Sequence, residues 1–298
     1  MFAALSDGKK LLFLIFFALF SALIFSLIGY LLVMLIYGTE AWSWISTITI
    51  NSESVGALKV VQIMQTIGMF ILPGFLMAYL FSDNPKDYLG FRPQHGKNFF
   101  LAIGAMLVAL PGINFLSSLH EQIPLADWMV QMETNAELLT KAFLTTNSFA
   151  VFVLNLFMIA VLPAIGEELI FRGIIQKHLT NITKSQVWGI IISALIFSAF
   201  HFQFKGFIPR FALGAMFGFM YAWSGSIWLP MAAHFTNNTI ATVGYTLMGA
   251  GAVDSKVEEV GGLTYLWPIG LVSIIAVSIL LMKLKEQNSG VRIQGSEF

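Results

Sequence analysis

Residues 150–173 read AVFVLNLFMIAVLPAIGEELIFRG, and this run decides the fold. From Ala150 to Gly166 it carries no charge and is mostly apolar. Such a run suits a bilayer-spanning helix, which needs about 20 predominantly apolar residues. Glu167, Glu168 and Arg172 then follow within six residues. An ionisable side chain at membrane depth is costly unless paired or wet, so by default it marks a functional site.

The rest of the chain has the same character. Of its 298 residues, 57% are hydrophobic and 11% charged, against about 25% charged in an ordinary soluble domain. An all-α polytopic membrane protein follows. Lys and Arg together equal Asp and Glu, 16 of each, so the formal net charge is zero and no nucleic-acid partner is expected. The absence of cysteine removes disulfides, thiolate nucleophiles, thiolate metal sites and cysteine lipidation.

Eight apolar runs are predicted to span the bilayer: 11–36, 57–81, 98–118, 149–171, 187–204, 208–223, 227–248 and 264–282. The first exceeds a signal-peptide core and is kept as a span. With the N-terminus inside, Lys9, Lys10, Lys86, Arg92, Lys97, Arg172, Lys177, Lys184, Lys283, Lys285 and Arg292 fall on the inner side, against Lys59, Lys141, Lys205, Arg210 and Lys256 outside. That bias predicts both termini in the cytoplasm. The compact chain reads as an integral protein of a bacterial plasma membrane. Residues 119–148 form a long outer connection, with apolar residues at helical spacing between acids. It is read as an amphipathic helix on the outer surface, with a substrate-gating lid as the alternative. The domain organisation predicted is 1–148 for the first three spans and this connection, 149–248 for a catalytic core, and 249–294 for the last span and tail. Gly295–Phe298 resembles a cloning scar.

All five aspartates, and every glutamate except Glu167 and Glu168, fall in predicted loops or tails. An intramembrane aspartyl protease therefore lacks its carboxylate pair, and no His-Glu-x-x-His supplies a zinc site. Ser224-Gly-Ser226 reads as a turn. Glu168 and Arg172, at i and i+4, can pair along one helix face. Glu167, about 100° round the helix, is then free to face a cavity. Phe197 and His201 share a face of the next span, and His234 and Asn238 share a face of the seventh. Asn237 is expected to point elsewhere, and His95, His120 and His178 are read as loop residues without a specific task. If the three pairs converge, one polar intramembrane cavity holds a carboxylate, two imidazoles and an amide. Carboxylate and imidazole can activate water. The second imidazole and the amide can donate to an oxyanion. That inventory suits amide hydrolysis with no metal and no cofactor.

Glu-Glu-x-x-x-Arg (167–172), Phe-x-x-x-His (197–201) and His-x-x-x-Asn (234–238), in that order, resemble the three motifs of the CPBP family. That family holds the CAAX prenyl proteases and bacteriocin-processing enzymes, also called ABI proteins. The resemblance covers about residues 150–245. It implies an eight-helix intramembrane endopeptidase that depends on a glutamate. Glu167 is then the general base, His201 shares its water, and His234 and Asn238 form the oxyanion hole. Glu168, Arg172 and Phe197 support them. The expected partners are the lipid bilayer and a peptide or small membrane-protein substrate. A non-catalytic peptide-binding or immunity protein, and a proton-coupled transporter, are the competing readings. Against transport, no inverted repeat is visible.

One tension accompanies this reading. Counted from the predicted span ends at 1.5 Å per residue, His201 lies about 20 Å along the fifth span and His234 only about 10 Å into the seventh.

Overall fold

A computed structural model describes residues 2–47, 52–146 and 148–289. The proposed scar at 295–298, and Arg292, lie outside the described residues. Among those residues every regular element is helical. We number the principal helices α1 (Asp7–Tyr37), α2 (Ala41–Thr47), α3 (Ser54–Phe81), α4 (Pro85–Leu89), α5 (Gly96–His120), α6 (Asp127–Leu144), α7 (Phe149–Thr183), α8 (Gln186–Ala199), α9 (Phe207–Ser224), α10 (Trp228–Gly249) and α11 (Trp267–Gln287). Five of them, α1, α3, α5, α7 and α11, are long and apolar enough to cross a membrane. The other three predicted spans correspond to α8, α9 and α10, and α8 is a shorter apolar helix of 14 residues.

The sequence-based boundaries are corrected most at α7. It does not stop at 171 but continues to Thr183, 35 residues in all. Its polar C-terminal half stays helical because neighbouring backbone satisfies it. The Arg172 guanidinium donates to the Gly214 carbonyl at 2.9 Å and the Gln176 amide to the Gly218 carbonyl at 3.0 Å. Donors and acceptors are both spaced i, i+4, so α7 and α9 lock in register. Both acceptors are glycines in close-packed positions. A Cβ on Gly218 would sit 2.8 Å from Gln176 Oε1. α7 ends where Lys184 turns left-handed (φ 55°), and the Ser185 side chain then caps α8 by accepting from the Trp188 amide at 3.4 Å.

Two prolines shape the long helices. Proline has no N–H and clashes with the carbonyl four residues back. Pro73 in α3 and Pro163 in α7 each follow a π-helical stretch, Ile67–Ile71 and Leu156–Val161. Such stretches accommodate a broken ladder and recur at functional sites. In α5, Pro111 opens the ladder differently. Ser273 of α11 accepts from the Gly112 amide at 3.0 Å and donates to the Val108 carbonyl, bridging the gap.

Three earlier assignments change. His178 is not a loop residue. It is buried in α7, bonded to the Asp7 carboxylate at the start of α1 and 2.7 Å from the Tyr88 hydroxyl of α4. His120 closes α5, its Nδ1 2.8 Å from the Lys205 carbonyl. Lys59 is not an outer-loop charge but a buried residue of α3, its ammonium 6.0 Å from the Phe143 ring centre.

Candidate active site

The polar residues of three separate helices converge on one cavity of about 580 Å³, lined by Glu167, His201, His234 and Asn238 among others. The two histidines occupy different positions along their helices. α8 spans only about 21 Å at 1.5 Å per residue, and His201 lies just past its end. There its Nδ1 meets the Phe197 carbonyl at 2.9 Å. His234 lies within the early turns of α10. Both nevertheless line the same cavity.

Beneath the cavity is an ionic chain. Arg172 and Glu168 are 1% and 0% exposed and pair at 3.0 Å, the i, i+4 contact expected from spacing. The same Glu168 oxygen lies 2.8 Å from His234 Nδ1. The opposite ring nitrogen, Nε2, is 3.9 Å from the Glu167 carboxylate. His234 thus stands between two carboxylates. Glu168 fixes the ring through Nδ1 and leaves Nε2 aimed at Glu167, the arrangement by which a partner on one nitrogen sets the role of the other. Aromatic rings enclose this chain. Phe217 stacks on His234 at 5.2 Å, and the Arg172 guanidinium lies 4.7 Å from the Phe197 ring centre, a cation–π contact in a desolvated place. Phe197 also meets His201 edge-on at 5.0 Å.

Glu167 Oε2 is buried and, among the described residues, accepts no hydrogen bond. The imidazole within reach of its carboxylate is that of His234. His201 lines the same cavity but makes no ion pair with Glu167 among the described residues.

Asn238 has a local cause. Pro163 cannot donate to the carbonyl four residues back, that of Ile159. The Asn238 amide donates to that orphan oxygen at 3.0 Å, and its own Oδ1 accepts from Asn237 at 3.0 Å. Among the described residues one Asn238 N–H remains uncommitted. Asn237, expected to face away, lines the same cavity.

α6 contributes more than a surface helix would. Ala136, Leu139, Thr140 and Phe143 form one wall of the cavity, while Trp128, Val130 and Leu138 are exposed. Its N-terminal half is fastened to the α8–α9 connection. The Lys205 amide donates to Glu133 at 2.9 Å, and Trp128 meets Phe204 edge-on at 5.2 Å. Two lining residues were missed from sequence: Gln203, which lies at the end of the predicted fifth span, and Arg210, which was counted only as an outer-side charge. Asn155, buried in α7 with both amide atoms unbonded among the described residues, was passed over inside an apolar run. Among the described residues, no group of three or more His, Cys, Asp or Glu side chains is placed to hold a metal ion.

Comparison with known proteins bears on the same segment. Residues 149–240 match the Rce1-like family, described as type II CAAX prenyl endopeptidase Rce1-like. The chain is 34% identical over 85 residues to the uncharacterized protein YpbD of Bacillus subtilis (strain 168), covering 27% of this chain and 40% of that protein. It is 26% identical over 135 residues to the membrane-embedded CAAX protease MroQ of Staphylococcus aureus (strain USA300), covering 43% of this chain and 51% of that protein. The chain thus spans about half the length, or less, of these relatives. No solved structure matches it.

Proposed function

We propose, from the match of residues 149–240 to the Rce1-like family of type II CAAX prenyl endopeptidases and the similarity to a membrane-embedded CAAX protease, that this membrane protein is an intramembrane endopeptidase that hydrolyses a peptide or small membrane protein with a Glu167-activated water. The observation that carries this reading is the convergence of Glu167, His201, His234 and Asn238 on one cavity. The unbonded Glu167 oxygen there is a free acceptor for a water proton. In this account α1, α3, α5 and α7–α11 cross the membrane, both termini are cytoplasmic, and 149–248 is the catalytic core.

Hydrolysis proceeds by attack of water on the scissile carbonyl. Glu167 removes the proton from the water, and the hydroxyl oxygen bonds to the carbonyl carbon. With its Nδ1–H donated to the Phe197 carbonyl, His201 presents Nε2 as an acceptor that orients this water. The oxyanion that forms is met by the uncommitted Asn238 N–H and by His234 Nε2–H. His234 donates from both nitrogens only as the imidazolium. Glu167 then returns its proton to the leaving amine as the C–N bond breaks. Glu168 and Arg172 are positioning residues in this scheme. α6 forms one wall of the cavity in which the peptide lies.

Asn238→Ala is expected to act twice. Loss of one oxyanion donor costs about 10²–10³ in rate. Substrate affinity should change little, because the donor matters mainly in the transition state. The Ile159 carbonyl also loses its hydrogen bond from Asn238, at about 1–3 kcal/mol of stability. Steady-state cleavage of a fluorogenic peptide, alongside thermal melting, measures both. A raised KM at constant kcat would make Asn238 a substrate anchor instead. Asn237→Ala should be milder, since Asn237 acts on Asn238 from the side. The donor set also predicts that chelators leave cleavage unchanged. Stoichiometric zinc in purified, active protein, lost together with activity on chelation, would replace this mechanism with metal-activated water.

A further inference from the structure

Among the described residues Arg210 is the only lysine or arginine lining the cavity, and the proposed hydrolysis gives it no task. It lies in the first turns of α9 and is half-buried. Among the described residues no carboxylate lies within ion-pair distance of it. Arg172, the buried arginine nearby, is by contrast paired directly with Glu168. Arg210 is held by neutral acceptors. Its guanidinium donates to the Gln203 carbonyl at 3.0 Å and to the Gln203 side-chain oxygen. It folds over Gly206, where a Cβ would lie 2.2 Å from Nη2, so only glycine leaves room for this posture. The charges of Glu133 and Glu167 reach it without bonding it.

A guanidinium carries five N–H donors in a planar fork matched to carboxylates. Gln203 takes two. The cation is therefore fixed in direction, half removed from water, and still has donors to offer. Fixing a polar group ahead of time lowers the ordering cost of binding.

We infer that Arg210 is a subsite for a carboxylate of the bound peptide, either its free C-terminus or an acidic side chain near the scissile bond. The nature of the ligand rests on the peptidase reading; the anion site does not. Arg210 is then a specificity-determining residue, selecting which peptide segment lies across Glu167.

The test uses the full chain in detergent carrying Glu167→Gln, so that bound peptides persist. Three short, apolar peptides with an uncharged N-terminal fluorophore differ at one point each. One has a free C-terminal carboxylate, one a C-terminal amide, and one the amide plus a central glutamate. Fluorescence anisotropy should show at least one carboxylate peptide binding about tenfold or more tightly than the plain amide, as a charge-assisted hydrogen bond implies. The favoured arm identifies the source of the carboxylate. Arg210→Gln should bring the ratio to about one, Arg210→Lys should retain part of it, and Gly206→Ala should lower it by displacing the guanidinium. Should Arg210→Gln fail to fold, Arg210→Lys and Gly206→Ala carry the comparison. Equal affinities for all three peptides, no binding of either carboxylate peptide, or a preference that survives loss of the guanidinium would overturn the subsite. A carboxylate preference in a chain whose wild-type form cleaves no peptide would leave the subsite standing and remove the peptidase reading.

Discussion

Glu167→Gln is expected to leave a folded protein with no measurable peptide hydrolysis. The substitution keeps the size of the side chain and removes the proton acceptor. Positioned general bases contribute about 10²–10⁴ in rate, and no second carboxylate can substitute, because Glu168 is committed to Arg172 and His234. The fold should be indifferent. Among the described residues Glu167 Oε2 accepts no hydrogen bond, and the imidazole beside it, His234, is held from the other side by Glu168 at 2.8 Å. Turnover measured with a purified peptide, together with a melting curve, checks both halves. Wild-type turnover in the variant would remove Glu167 from the mechanism.

Arg172→Ala should do the opposite and lower stability first. The guanidinium neutralises Glu168 inside a site that is 0% exposed at the carboxylate, and it caps the Gly214 carbonyl. Removing one partner of a buried pair leaves an uncompensated charge, which typically costs about 3–5 kcal/mol. It also frees the carboxylate that positions His234, so residual folded protein should be slow as well. Thermal melting of Arg172→Ala beside Glu167→Gln is the comparison. Equal melting temperatures would contradict a structural role for the Arg172–Glu168 pair.

The helices and the polar pairs were legible in sequence for one reason. In an apolar background every charged or amide side chain stands out, and i, i+4 spacing assigns it a face. That reasoning found the Glu168–Arg172 pair and placed Glu167, His201, His234 and Asn238 on a common side. It failed where polarity is satisfied out of sight. α7 was cut at 171 because Arg172, Gln176 and His178 look like loop residues. Their partners, the carbonyls of Gly214 and Gly218 and the side chains of Asp7 and Tyr88, are distant in sequence. Asn237 was set aside on helical angle alone, although a wide cavity admits both neighbours. Arg210 was counted as an outer charge, since no local pattern reveals that Gly206 and Gln203 fold it back toward the site. The tie between Asn238 and Ile159 was derivable in part. Pro163 announces an orphan carbonyl, but not which residue answers it.

The central claim is that this chain cuts peptide bonds with Glu167, and one measurement addresses it most directly. Membrane-associated peptides from cells making the wild-type chain are compared by mass spectrometry with those from cells making Glu167→Ala at the same level. The account predicts a set of new peptide termini that is present with the wild type and absent with the variant. Identical peptide sets from the two, with both proteins folded and in the membrane, would contradict it.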